Sequence, residues 1–157
     1  MKLALELDRV LADTRPLWRA WLEDAARRYR TIAPLEVDAL PEERGAAAAI
    51  LDEWAEAGIG DWRASLERFA EDRAPLFFRP DPETNASLRR LAAAGARLAV
   101  FSDAPEPIVR VALAQLGAAR EVAVVEAGAG AEQRTLADLG DDARVVRSRD
   151  ELLALSA

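Results

Sequence analysis

The chain has 157 residues, half of them apolar and nearly a third charged, with 28 acidic against 21 basic side chains and a formal charge of −7. This is the composition of one ordinary globular domain, or a core with a small insertion, and the negative balance argues against a nucleic-acid partner, which needs clustered positive charge. With no cysteine and no histidine, disulfides, thiolate or imidazole metal ligands, a Cys nucleophile and a Ser-His-Asp triad are all excluded. Any chemistry rests on carboxylates, hydroxyls, arginines and backbone groups. No N-terminal segment reads as a signal peptide or membrane span, so the expectation is a soluble cytoplasmic protein with no membrane partner.

The first element is the apolar run Leu3-Ala4-Leu5-Glu6-Leu7-Asp8-Arg9-Val10-Leu11. It reads as the central strand of a parallel sheet buried on both faces. Glu6 and Asp8 stand at i and i+2, which in a strand sets both on one face, roughly 6–7 Å apart. Charge in so apolar a strand belongs at its C-terminal end, where open α/β sheets form ligand crevices. Pairing of both acids with nearby arginines is the plain alternative.

Thr14-Arg15-Pro16 then starts a helix, proline being harmless in a first turn. Trp18, Trp21, Leu22, Ala25 and Tyr29 recur along one face of it. Pro34 and Pro41 bracket a loop. A second helix sets Ala47, Ile50, Leu51 and Trp54 on one face and stops near Gly58, and a third groups Trp62, Leu66 and Phe69. Residues 15–75 thus form a helical insertion holding all four tryptophans, as its own core or as a substrate lid or partner surface.

Strand and helix alternate from there on. Asp81-Pro82-Glu83 starts a helix that Gly95 stops, Arg97 to Phe101 is a strand ending in Ser102-Asp103, and a helix follows from Pro105 to Gly117. Glu121 to Glu126 is a third strand, followed by a Gly128/Gly130 loop and a helix ending at Gly140. Ala143 to Val146 is a fourth strand, and Ser148 to Glu151 matches a capping box for a last short helix. Repeated βα units with right-handed crossovers give a doubly wound parallel α/β sheet, with residues 1–14 and 76–157 as its core.

In its motifs, Leu5-Glu6-Leu7-Asp8-Arg9-Val10-Leu11-Ala12-Asp13-Thr14 resembles the first motif of the haloacid dehalogenase (HAD) superfamily, Phe-Asp-Leu-Asp-Gly-Val-Leu-x-Asp-Thr. Val100-Phe101-Ser102-Asp103 resembles its second, an apolar strand ending in Ser or Thr. The resemblance implies a Rossmann-like core shortened to about four strands, with residues 15–75 in the place of the small helical cap of phosphoglycolate-phosphatase-like members. It implies the family's phosphoryl transfer through an aspartyl-phosphate, with Glu6 standing at the nucleophile position, Asp8 at the acid/base, and Ser102 with Asp103 in the phosphate-binding segment. It also implies Mg²⁺ on oxygen ligands, for which Glu6, Asp8 and Glu126 are the available set.

The motifs are degenerate. Glu6 is one methylene longer than the expected Asp, which moves the attacking oxygen by about 1 Å, enough to cost roughly a hundredfold in rate. Arg9 stands where a glycine belongs and is placed to pair with Glu6 and fill the site. The only lysine, Lys2, lies at the wrong end of the first strand; Arg134 is the one substitute for the third-motif Lys. No Gly-Asp pair follows a strand, and Gly140-Asp141-Asp142 falls at the opposite end of the sheet. Two readings remain: a HAD-fold phosphatase-like protein with little or no hydrolase activity, acting as a binding or assembly module, or a diverged Mg²⁺-dependent phosphatase of a small phosphorylated metabolite. The implied partners are such a metabolite or another protein, and a homodimer through the helical cap is a third possibility.

Overall fold

The structure is a computed structural model and describes all 157 residues. Strand β1 (Lys2–Glu6) is its centre. Leu3, Ala4 and Leu5 are fully buried, because β1 is hydrogen-bonded on both sides and covered on both faces. It pairs in parallel with β2 (Arg97–Ser102) on one side and β4 (Arg144–Val146) on the other, and β3 (Val124–Ala127) flanks β2, giving the order β3-β2-β1-β4. Both edge strands are short, which limits the exposed ladder. The third and fourth strands are therefore narrower than expected; a 3₁₀ turn at Ala119–Glu121 takes the start of the former.

Alternation along the strands sorts the two faces. Leu3, Leu5, Leu98 and Val100 enter one large apolar cluster, whereas Ala4, Ala99 and Phe101 meet Ala131 and Leu139 of the helix on the other face. Helices therefore cover both faces, as a doubly wound sheet requires.

One local expectation at β1 fails. The strand ends at Glu6, and Leu7–Val10 is a helical turn (α1) with Asp8 in its first turn. Beyond Glu6, which pairs with Phe101, β1 has no further ladder partner, and an acid is favourable at a helix start. Glu6 is thus the last residue of the strand and Asp8 a helical one, so the two acids do not share a strand face.

The inserted helices are α2 (Arg15–Arg28), α3 (Arg44–Ala55) and α4 (Trp62–Phe77). Trp18 stacks on Trp21 at 5.7 Å between ring centroids, Trp62 meets Trp18 edge-on at 6.4 Å and lies tilted against Trp21 at 5.6 Å, and Tyr29 meets Trp54 edge-on at 5.7 Å. All four indoles are buried, with Trp21, Trp54 and Trp62 donating to Ser65, the Ala33 carbonyl and Asp52. The aromatic stripe is core. Ile50 is not part of it: only Ala47, Leu51 and Trp54 of its set turn inward, and Ile50 lies exposed at the stripe's edge. Helix α4 runs through the expected boundary at residue 75 and packs on a helix of the α/β layer, so Trp21 and Trp62 share one buried cluster with Leu3, Leu5 and Val100.

The remaining helices are α5 (Pro82–Ala93), α6 (Glu106–Leu116, against which α4 packs), α7 (Ala131–Leu139) and α8 (Arg149–Leu155). Gly117 ends α6 in the left-handed conformation that glycine tolerates, φ 72°. Ser148 caps α8 by accepting from the Glu151 N–H at 3.2 Å, but Glu151 reaches back to the Arg147 N–H rather than to Ser148 itself. Asp142 pairs with Lys2 at the N-terminal end of the sheet, away from the crevice. No helix is long and apolar enough to cross a membrane.

Helix α3 begins hard against the loop between β3 and α7. A Cβ on Gly45 would lie 2.6 Å from Ala129 Cβ and 2.7 Å from its Cα, closer than atoms tolerate. Gly45→Ala is therefore expected to cost about 1–3 kcal/mol by overpacking, read as a lower urea midpoint. An unchanged midpoint would show that this helix is not pressed onto the loop.

Candidate functional site

The crevice opens where the sheet topology predicts it, at the C-terminal ends of β1, β2 and β4. Its volume is about 460 Å³, and Glu6, Asp8, Ser102, Asp103, Glu132 and Arg147 contribute to its lining. A second hollow of about 530 Å³ lies on the insertion side, between Trp18, Leu22, Val37 and Leu40 and the same ridge of Glu6, Asp8 and Asp103.

The residue that organises the ridge is Arg44, the first residue of α3. Glu43 caps that helix by accepting from the Gly45 and Ala46 N–H groups at 2.9 and 2.6 Å. This cap and the glycine contact with Ala129 set the Arg44 side chain over the ends of β1 and β2, where it is only 3% exposed. Its Nη2 donates to Asp8 Oδ2 at 2.7 Å; Nη2 and Nε donate to Asp103 Oδ1 at 2.8 and 3.1 Å; Nη1 donates to Thr14 Oγ1 at 2.6 Å. Its backbone N–H donates to Asp103 Oδ2 at 2.8 Å.

Asp8 is saturated as a result. Oδ1 accepts from the Thr14 N–H at 2.9 Å and from the Thr14 hydroxyl, and Oδ2 accepts from the Ser102 hydroxyl at 2.8 Å as well as from Arg44. Burial pushes the Asp8 carboxyl upward, but the Arg44 charge and the hydrogen bonds from Thr14 and Ser102 outweigh it and hold the group below the ordinary carboxylate value. Ser102 is committed too, donating to Asp8 and accepting from the Ala104 N–H at 3.1 Å. Asp103, expected in the phosphate-binding segment, presents its carboxylate to Arg44 instead.

Glu6 belongs to a separate pairing. Arg147, at the end of β4, donates to Glu6 Oε2 at 3.2 Å and to the Glu132 carboxylate. Arg9 forms the expected ion pair with Glu6, though a long one at 3.8 Å from Nε to Oε1, and its mostly exposed side chain lines the second hollow instead of filling the crevice. Arg134 does not stand in for the missing lysine. It donates to Glu126 Oε2 at 3.0 Å and to the carbonyls of Ala127 and Ala129, clamping the loop after β3.

Magnesium fits this arrangement poorly. A hard cation needs several free oxygen ligands in near-octahedral order, and nowhere are three acidic side chains gathered to hold one. Glu126 faces Arg134, both oxygens of Asp8 are taken, and Glu6 is paired with Arg147. The set Glu6, Asp8 and Glu126 therefore does not come together as a metal site.

No protein-family model matches the sequence, and no curated protein matches it. Among solved structures, a protein described as a "putative beta-phosphoglucomutase" from Thermotoga maritima superposes over 99% of this chain and 81% of its own, with a TM-score of 0.53 and 17% identity. The two share a fold, a parallel α/β sheet with an inserted set of helices. A hydrolase from Streptococcus pneumoniae TIGR4 also aligns, over 80% of this chain and 65% of its own, at 15% identity and a TM-score of 0.39. Within this fold, Glu6, Asp8 and Ser102 lie together at the strand ends, and each is bound to a partner from within the chain.

Arg44 escaped sequence reading because its contacts reach across 30 to 59 positions. One local signal was present. An arginine as the first residue of a helix opposes the helix dipole, and the Glu43-Arg44-Gly45 sequence places such a cation between a capping acid and a glycine.

Proposed function

We propose that this HAD-like protein has little or no hydrolase activity and serves as a binding or assembly module. The observation that carries this reading is the closed hydrogen-bond shell of Asp8. A general acid must hold a proton near the working pH and have it free to give. Asp8 has its carboxyl depressed and accepts four hydrogen bonds, one from a buried guanidinium. Glu6, at the position of the attacking group, is one methylene too long and engaged by Arg147. A phosphate dianion would also meet Glu6, Glu43, Asp103 and Glu132 at the crevice wall, with Arg147 as the only cation among its lining residues. Each defect strikes the same catalytic unit, and such losses leave little residual rate.

The indoles are spent inside the core, so homotypic assembly through the inserted helices would use their outer surface, where Ile32 and Ile50 are exposed. The test of the main reading is phosphate release from p-nitrophenyl phosphate and a set of small phosphate esters with Mg²⁺ present. Wild type and Asp8→Asn are expected to give the same rate, that of the background. Mg²⁺-stimulated release by wild type that Asp8→Asn abolishes would establish a working, diverged phosphatase instead.

A further inference from the structure

Strand β4 lies beside β1 with Val146 opposite Leu5, so the next residues, Arg147 and Glu6, leave the sheet side by side. The end of β4 therefore sets a base directly beside the acid at the end of β1. Its guanidinium bridges Glu6, from the end of β1, and Glu132, from the first turn of α7. Two carboxylates from different elements are thus drawn together by one positive group.

We infer that Arg147 is a tethered cation that does the charge-balancing work of a divalent ion at the end of β1, making the crevice metal-independent. A guanidinium and a magnesium ion solve the same electrostatic problem differently. The ion gathers oxygens around a point charge and can exchange, whereas guanidinium offers planar donors, stays protonated at any ordinary pH and is covalently held. One oxygen of each carboxylate facing Arg147 is thereby balanced by a cation that cannot leave the crevice. Reversing the sign at this one residue removes the tethered cation and leaves Glu6, Glu132 and the new carboxylate converging. Mutual repulsion among three acids is what a divalent ion relieves.

This inference does not depend on the absence of turnover, since its test reads metal binding through stability. Arg147 and its partners are all partly exposed, so a charge reversal strands no buried ion. The experiment is thermal unfolding of the full chain, followed by tryptophan fluorescence, in millimolar MgCl₂ and in NaCl of equal ionic strength. Wild type is expected to unfold at the same temperature in both salts. Arg147→Asp is expected to unfold earlier in NaCl and to gain about 3–6 °C in MgCl₂ when magnesium stands at tenfold its dissociation constant. Should that variant fail to fold, Arg147→Asn offers an amide oxygen at the same place and is expected to show a smaller gain of the same sign. A magnesium-specific rise in wild type would overturn the inference, and so would the absence of any such rise in every folded variant.

Discussion

Arg44→Ala is expected to lower stability by about 3–5 kcal/mol, because it leaves Asp8 and Asp103 facing each other without the buried charge that pairs them. For a chain of this size that is a fall of about 6–20 °C in the unfolding midpoint. The loss is also expected to depend on pH in a definite direction. Asp8 has a folded-state carboxyl depressed below its unfolded value, so its contribution is present in full above the unfolded value, near pH 3.9, and is lost as pH falls through the folded one. Removing Arg44 abolishes the main attraction behind that depression. The gap between wild type and variant is therefore widest at neutral pH and narrows below about pH 4. Urea denaturation at several pH values measures both effects; a gap of equal size at pH 3 and pH 7 would show that Arg44 acts by packing rather than by charge.

Trp21→Ala is expected to cost a similar amount, about 3–5 kcal/mol. Trp21 is fully buried, lies 5.7 Å from Trp18 and 5.6 Å from Trp62 between ring centroids, and donates its indole N–H to Ser65. The cluster it anchors runs without interruption from the inserted helices to Leu3, Leu5 and Val100 of the sheet. The variant is accordingly expected to unfold in one step, with fluorescence and circular dichroism giving coincident transitions. Two separated transitions would mean that the insertion folds apart from the sheet.

Much of this architecture was legible in the sequence because short-range rules decide it. The apolar run at Leu3 to Leu5 flanked by acids, the strand ending in Ser102, the glycines after α6 and α7 and the Ser148 cap are all local patterns. They place the crevice correctly at the strand ends. What the sequence concealed is how side chains pair across elements. Arg9, three positions from Glu6, reaches it only at 3.8 Å, whereas Arg147, 141 positions away, donates to it at 3.2 Å because β4 lies next to β1. The hydrophobic pattern continues through Leu7 and so places Asp8 in the strand, yet the ladder runs out at Glu6 and a helical turn takes over. Ile50 fits a helical stripe by spacing, but the residues that α3 buries are Arg44, Ala47, Leu51 and Trp54, and Ile50 is left exposed.

The crevice carries its own cations, Arg44 and Arg147, and the proposed reading turns on whether they stay when magnesium and a phosphoryl group compete for the same oxygens. Crystals grown with magnesium and beryllium fluoride, a mimic of a phosphoryl group, test that most directly. The arrangement described here predicts Arg44 still on Asp8 and Asp103, Arg147 still on Glu6, and no metal between them. Density for a magnesium ion held by Glu6 and the Asp8 backbone carbonyl, with the mimic bonded to Glu6 and Arg147 displaced, would contradict it.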